Sequence, residues 1–67
     1  MTTLATLMPE LGWLVPELLR VQARPGTPPD PGLVRLGLAD DHGLTRKGHA
    51  TVERLRGLAD LLDLPLA

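Results

Sequence analysis

The chain has 67 residues, 43% of them apolar, with seven Lys or Arg against eight Asp or Glu, no Cys and a net charge of −1. That length holds one small domain. The lack of Cys excludes disulfides and thiolate metal sites, and near-neutrality excludes a whole-molecule field steering the chain to nucleic acid or a membrane surface. A chain this short buries only about 60% of the surface its unfolded form exposes. Leucine packing, proline-stiffened loops and self-association are the aids left to it. Sixteen Leu, with no Ile, Phe, Tyr, Ser or Asn, favour helix over strand. The N-terminus has no basic region or small-residue cleavage site. Residues 4–19 are interrupted by Pro9, Glu10, Pro16 and Glu17, whereas a membrane span needs about 20 apolar residues. A soluble cytoplasmic protein with no membrane partner is expected.

In the N-terminal segment Leu4, Leu7, Leu11, Leu14, Leu18 and Val21 are spaced as an a/d heptad seam. Pro9-Glu10-Leu11 recurs as Pro16-Glu17-Leu18, with both prolines opposite the seam. The spacing predicts helix over 3–22 with a kink or break near Val15, since a residue before Pro is pushed toward extended geometry. Two forms are open: one bent helix wrapped around a core, or separate helices each opened by a proline. Trp13, the single aromatic, lies off the seam. It reads first as cover for the edge of the core and, alternatively, as an exposed anchor for a partner.

Residues 24–32 hold four prolines and two glycines, which predicts a stiff loop. Pro25-Gly26-Thr27-Pro28 matches PxxP, but so short a match reads as loop before ligand.

Asp30 then caps a short helix over 31–37 whose first residue is Pro31. Leu33 and Leu36 share one face of it, and Gly37 ends it in a left-handed stop with Leu38 as the accompanying apolar contact. Asp40-Asp41-His42-Gly43 has turn composition, so 38–44 is a turn or a minimal hairpin. Leu44 points inward and Thr45 caps a long helix over 46–62. Val52, Leu55, Leu58, Ala59 and Leu62 form its apolar face. His49–Glu53 and Glu53–Arg56 are spaced to pair on its surface. Leu64-Pro65-Leu66 lies back on the core or frays.

Taken in order, Leu33-Val34-Arg35-Leu36-Gly37-Leu38, a polar turn and Leu44-Thr45-Arg46-Lys47-Gly48 resemble the recognition-helix, wing and last-helix part of winged helix-turn-helix domains, over residues 33–56. The resemblance implies a mainly α, small three-helix domain: a kinked N-terminal helix, a short middle helix and a long C-terminal helix, with at most a minimal β-hairpin. It also implies DNA binding, for which Arg35, Arg46, Lys47, Arg54 and Arg56 are the available cations. The place of the recognition helix, however, holds Pro28-Pro29-Asp30-Pro31-Gly32-Leu33-Val34-Arg35, and the wing carries two acids that phosphates repel. The whole chain resembles small phage- or plasmid-type regulatory proteins.

No Ser or Cys nucleophile is present. Asp40, Asp41, His42 and His49 are the metal-capable residues, and Asp-Asp-His in a turn reads as a solvated loop, since a catalytic zinc needs three ordered protein ligands. Neither catalysis nor a cofactor, metal or small-molecule substrate is expected. The sequence favours a protein-interaction module using Leu7, Leu11, Trp13, Leu14 and Leu18, its partner another protein or a second copy of itself. The alternative is a minimal DNA-binding regulator.

Overall fold

A computed structural model describes residues 2–66; Met1 and Ala67, the ends of the expected single-domain span, lie outside the described residues. The fold is mainly α. Helix α1 (Leu4–Leu7) is followed by a single 3₁₀ turn (Pro9–Leu11) and by α2 (Leu14–Ala23). After the proline-rich loop come α3 (Pro31–Arg35), a two-stranded antiparallel hairpin of β1 (Ala39–Asp40) and β2 (Gly43–Leu44), and α4 (Arg46–Leu61).

The N-terminal helix is kinked as expected, with the break over residues 8–13, just ahead of Val15. Pro9 opens the 3₁₀ turn at its first position, where a missing N–H costs nothing. Pro16 sits in the first turn of α2, among N–H groups that have no partner inside a helix. Val15 therefore enters the helix in spite of the proline after it, and it is 1% exposed. The break resets the register. Leu14, Val15, Leu18 and Val21 form the inward stripe of α2, while Leu7 leaves the seam and is 55% exposed.

Helix α1 has four residues, too few to stand alone. Thr3 caps it by accepting from the Thr6 N–H at 3.1 Å. Its next free donors are taken by the far end of the chain: Leu4 N–H reaches Pro65 O at 2.9 Å and Ala5 N–H reaches Leu66 O at 3.3 Å. Of the two outcomes expected for Leu64–Leu66, the observed one is therefore the return to the core, and the chain closes on itself through backbone bonds.

Arg24-Pro25-Gly26-Thr27 is a tight turn closed by Thr27 N–H on Arg24 O at 3.1 Å. Gly26 takes φ +107° within it, as the third residue of a type II turn requires. The PxxP segment is thereby bent out of the polyproline conformation that an aromatic groove would read. Arg20 fastens the loop to α2: its guanidinium donates to Glu17 Oε2 at 2.6 Å and to Pro28 O at 3.1 Å. The Glu17 hydrogen bond, helped by Coulomb attraction from Glu17 and Asp30, outweighs desolvation and raises the Arg20 pKa.

The short helix ends as its sequence demands. Gly37 has φ +75°, Gly37 N–H bonds Val34 O at 3.0 Å and Leu38 N–H bonds Leu33 O at 2.9 Å. Both bonds of a Schellman stop are present. They turn Leu38 into the core and leave Leu36, the C-cap, on the surface. Leu33 and Leu36 therefore do not share an inward face, because the helix has ended before Leu36.

The main core is Leu18, Val21, Leu33, Leu38, Ala39 and Val52, with Leu14, Leu44 and Leu55 packed against it. Leu4, Val15 and Ala59 are buried apart from it. Thr45 caps α4 through Gly48 N–H at 3.1 Å and also donates to Gly37 O at 2.6 Å. Leu62, expected on the apolar face of α4, is 44% exposed. The helix stops at Leu61, Asp63 turns left-handed at φ 56° and Leu64 N–H reaches back to Ala59 O at 2.9 Å. Leu64 thus takes the inward place that Leu62 does not reach. Among the described residues the one salt bridge is Arg20–Glu17, so the surface pairs expected of Glu53 with His49 and Arg56 are not made. Arg56 turns instead to Gln22 on α2, at 3.3 Å.

Candidate interaction surface

Five residues were read from the sequence as a protein-docking set, and the fold separates them. Leu18 is 1% exposed and cannot meet a partner, and Leu14 is partly buried against the core. Both were drawn inward because α2 forms its own stripe after the break. Leu11 is half-buried, and only Leu7 and Trp13 are exposed.

Trp13 covers part of α3 and stays partly in solvent. It remains 47% exposed, yet the outer edge of its ring lies so close to α3 that a β-carbon built on Gly32 would fall 2.9 Å from its Cη2. Glycine at this place lets the indole seat on the first turn of α3. The same turn is held by Asp30, whose Oδ1 accepts the Gly32 N–H at 2.7 Å.

Beyond that contact Val34 on α3 and Leu36 at its C-cap are exposed by 50% and 46%. Lys47 Nζ donates to Leu36 O at 3.1 Å, which sets an ammonium beside the exposed leucine and satisfies one carbonyl at the helix end. Arg35 stands between Val34 and Leu36 in sequence and is exposed. The α3 strip of Trp13, Val34 and Leu36 is therefore a set of exposed apolar side chains interrupted by Arg35, which points outward between Val34 and Leu36, with Lys47 beside Leu36. Val34 is not singled out by the sequence, and Leu36 reads there as sharing the face of Leu33. The usable signal was the length of the helix: a Pro31 start and a Gly37 stop leave room for little more than one turn, which buries one leucine and not two.

The five candidate nucleic-acid cations are all exposed, but they do not share one surface. Arg54 and Arg56 are two residues apart and so point to nearly opposite sides of α4, about 200° round the helix. Arg56 faces α2, as its bond to Gln22 shows. Arg35 and Lys47 border the apolar strip, and Arg46 adjoins Lys47 in the first turn of α4. The hairpin that would act as a wing exposes Asp40, Asp41 and His42 at its tip, with Asp40 Oδ1 accepting the His42 N–H at 2.8 Å.

Among the described residues no three His, Asp or Glu side chains converge in a metal-holding group, and no helix is long and apolar enough to cross a membrane. The best-formed cleft encloses about 220 Å³ between Arg56, Ala59, Asp60, Leu64, Pro65 and Leu66. It lies at the junction of α4 with the returning C-terminal segment and is smaller than the pockets that hold drug-sized ligands, about 300–1,000 Å³. No family model matches the chain, and neither a curated protein nor a solved structure gives a significant match.

Proposed function

We propose that this is a non-enzymatic protein-interaction module, a small regulator that docks on another protein through the strip of Trp13, Val34 and Leu36. The observation that carries the reading is the surface of α3. In a winged-helix arrangement this is the helix that would read DNA, and here Arg35 is its one exposed basic side chain, flanked by exposed Val34 and the C-cap Leu36, with Trp13 against its start. Base reading calls for polar and basic side chains at that place. Protein docking calls for apolar side chains, an aromatic anchor and nearby charge, and this face offers Val34 and Leu36, Trp13, and Arg35 with Lys47.

DNA binding is the second reading, favoured by the order of α3, hairpin and α4 and by Arg35, Arg46 and Lys47 near one end of the molecule. The spread of Arg54 and Arg56 around α4 and the acidic hairpin tip speak against it.

Affinity capture of the tagged protein from its native cells, with nuclease present, tests the first reading. A single protein should be retained by the wild-type chain and lost with Val34→Glu/Leu36→Glu, while Arg54→Glu retains it. Titration of the purified partner should shift Trp13 emission to shorter wavelength as the indole leaves water. Capture unaffected by Val34→Glu/Leu36→Glu refutes the reading. A gel shift on duplex at low salt, weakening with salt at a log–log slope of about −3 or steeper, supports DNA binding in its place.

A further inference from the structure

We propose that the protein associates with itself head to tail, the acidic C-terminal end of α4 in one copy docking on the α3 strip of the next. The inference rests on reading that strip as a docking surface, and it names a second copy of this chain as an occupant.

The first observation is the placement of charge on α4. A helix carries about half a positive charge at its N-terminus and half a negative charge at its C-terminus, so acids suit the start and bases suit the end. In α4 the order is reversed. Its first turn holds Arg46 and Lys47 and no acid, and its last turn holds Asp60 and no base, with Asp63 just beyond. Each charge sits by the pole of its own sign. Within one copy this arrangement is unfavourable at both ends. Between two copies it is complementary, because the acidic end of one α4 meets the basic end of another.

The second observation concerns apolar side chains at those same ends. Leu61, at 81%, is the most exposed of the large apolar residues, and Leu62 is 44% exposed. Asp60 and Asp63 bracket them in sequence. At the other end Val34 and Leu36 are exposed, with Arg35 between them and Lys47 bonded at the Leu36 carbonyl. One end is apolar with Asp60 and Asp63, and with Arg56 one turn back from Asp60; the other is apolar with Arg35 and Lys47. They cannot meet inside a single copy. Leu61 follows Lys47 by 14 residues on the same helix, a rise of about 21 Å, in a molecule extended to 33 × 19 × 18 Å.

Two different patches make a heterologous contact, which adds copies in sequence and closes only as a ring. Each side offers two or three apolar side chains, well short of the roughly 800 Å² per partner of a stable interface. The association is therefore weak and depends on concentration and salt.

Sedimentation velocity at low salt over about 0.02–1 mM tests this. The weight-average mass should climb from 7.2 kDa past that of a dimer without levelling there, and should fall back in 0.5 M salt. Leu61→Glu removes the acidic end's anchor, and Val34→Glu/Leu36→Glu blocks the strip. Each variant alone should remain monomeric. Their equimolar mixture should form a 1:1 pair and nothing larger, since each then contributes one intact surface. Circular dichroism melts check that both variants are folded; should the strip variant unfold, Arg35→Glu replaces it, with self-association weakened at least about fivefold. A monomeric wild type at 1 mM, a wild type that levels at dimer, or a mixture that stays monomeric overturns the proposal. Loss of partner capture with self-association intact would sink only the first function proposed above, and capture by a wild type that remains monomeric would sink only this one.

Discussion

Two glycines of α4 receive opposite predictions from the structure for the same substitution. By helix propensity alone, Gly→Ala inside a helix stabilises by about 1 kcal/mol. At Gly57 nothing lies within 4 Å of the added methyl, so that gain should be realised, as about 0.5–1 kcal/mol. At Gly48 the added β-carbon would overlap the Leu38 carbonyl oxygen and press on Leu44 Cβ at 3.3 Å. That carbonyl is backbone and already accepts the Thr45 N–H at 3.0 Å, so it cannot yield without loosening the N-terminus of α4. Overpacking of this kind costs about 1–3 kcal/mol or more, and contact with rigid backbone puts it at the upper end. After the propensity gain is subtracted, Gly48→Ala should destabilise by about 2 kcal/mol. A chain of this size has about 3–10 kcal/mol of stability in all, so the loss is a large share. Urea unfolding at micromolar concentration, followed by Trp13 emission and by far-UV dichroism, reads both variants. In thermal melts Gly57→Ala should raise Tm by about 3–6 °C and Gly48→Ala should lower it by about 5–20 °C. If Gly48→Ala matches Gly57→Ala in sign, α4 does not pack against Leu38 in this way and the reasoning fails.

Three further outcomes follow from local geometry. Asp63→Gly should stabilise by about 0.5–1 kcal/mol in urea unfolding, because Asp63 is held at φ 56° at a helix end where glycine has no side-chain penalty. Thr45→Ala should cost about 1–2 kcal/mol, since the hydroxyl both caps α4 and bonds Gly37 O; Thr45→Ser should recover most of the loss. Gly32→Ala should shift Trp13 emission to longer wavelength, because the new methyl meets the indole at 2.9 Å and lifts it off α3; an unshifted spectrum would show that the ring does not rest there.

Much of the local architecture was legible in the residues themselves. Asp30 before Pro31, Gly37 after Arg35 and Leu36, and Thr45 before Arg46 are signals that act within a few residues of backbone, and each works as the sequence indicates. Capping and left-handed stops need no tertiary partner to be recognised. The short polar turn between Ala39 and Leu44 is local in the same sense and forms the minimal hairpin.

Tertiary packing decided what local signals could not. The heptad spacing of Leu4 to Val21 is real in sequence, but where the chain bends depends on which face finds a core. Burial of Val15, as well as of Leu18 and Val21, goes with a break at residues 8–13 and leaves Leu7 in solvent. The hold of Pro65 and Leu66 on the start of α1 joins opposite ends of the chain, and periodicity carries no trace of it. The need for glycine at position 48 arises because a distant carbonyl arrives there. The candidate surface is the same kind of result. A leucine is apolar wherever it stands; the early end of α3 exposes Leu36 and the stop at Leu61 exposes the end of α4. The sequence therefore determined the elements and their caps, through interactions of a few residues' range. The fold alone decided which apolar side chains were left for a partner, because exposure is set by what the rest of the chain covers.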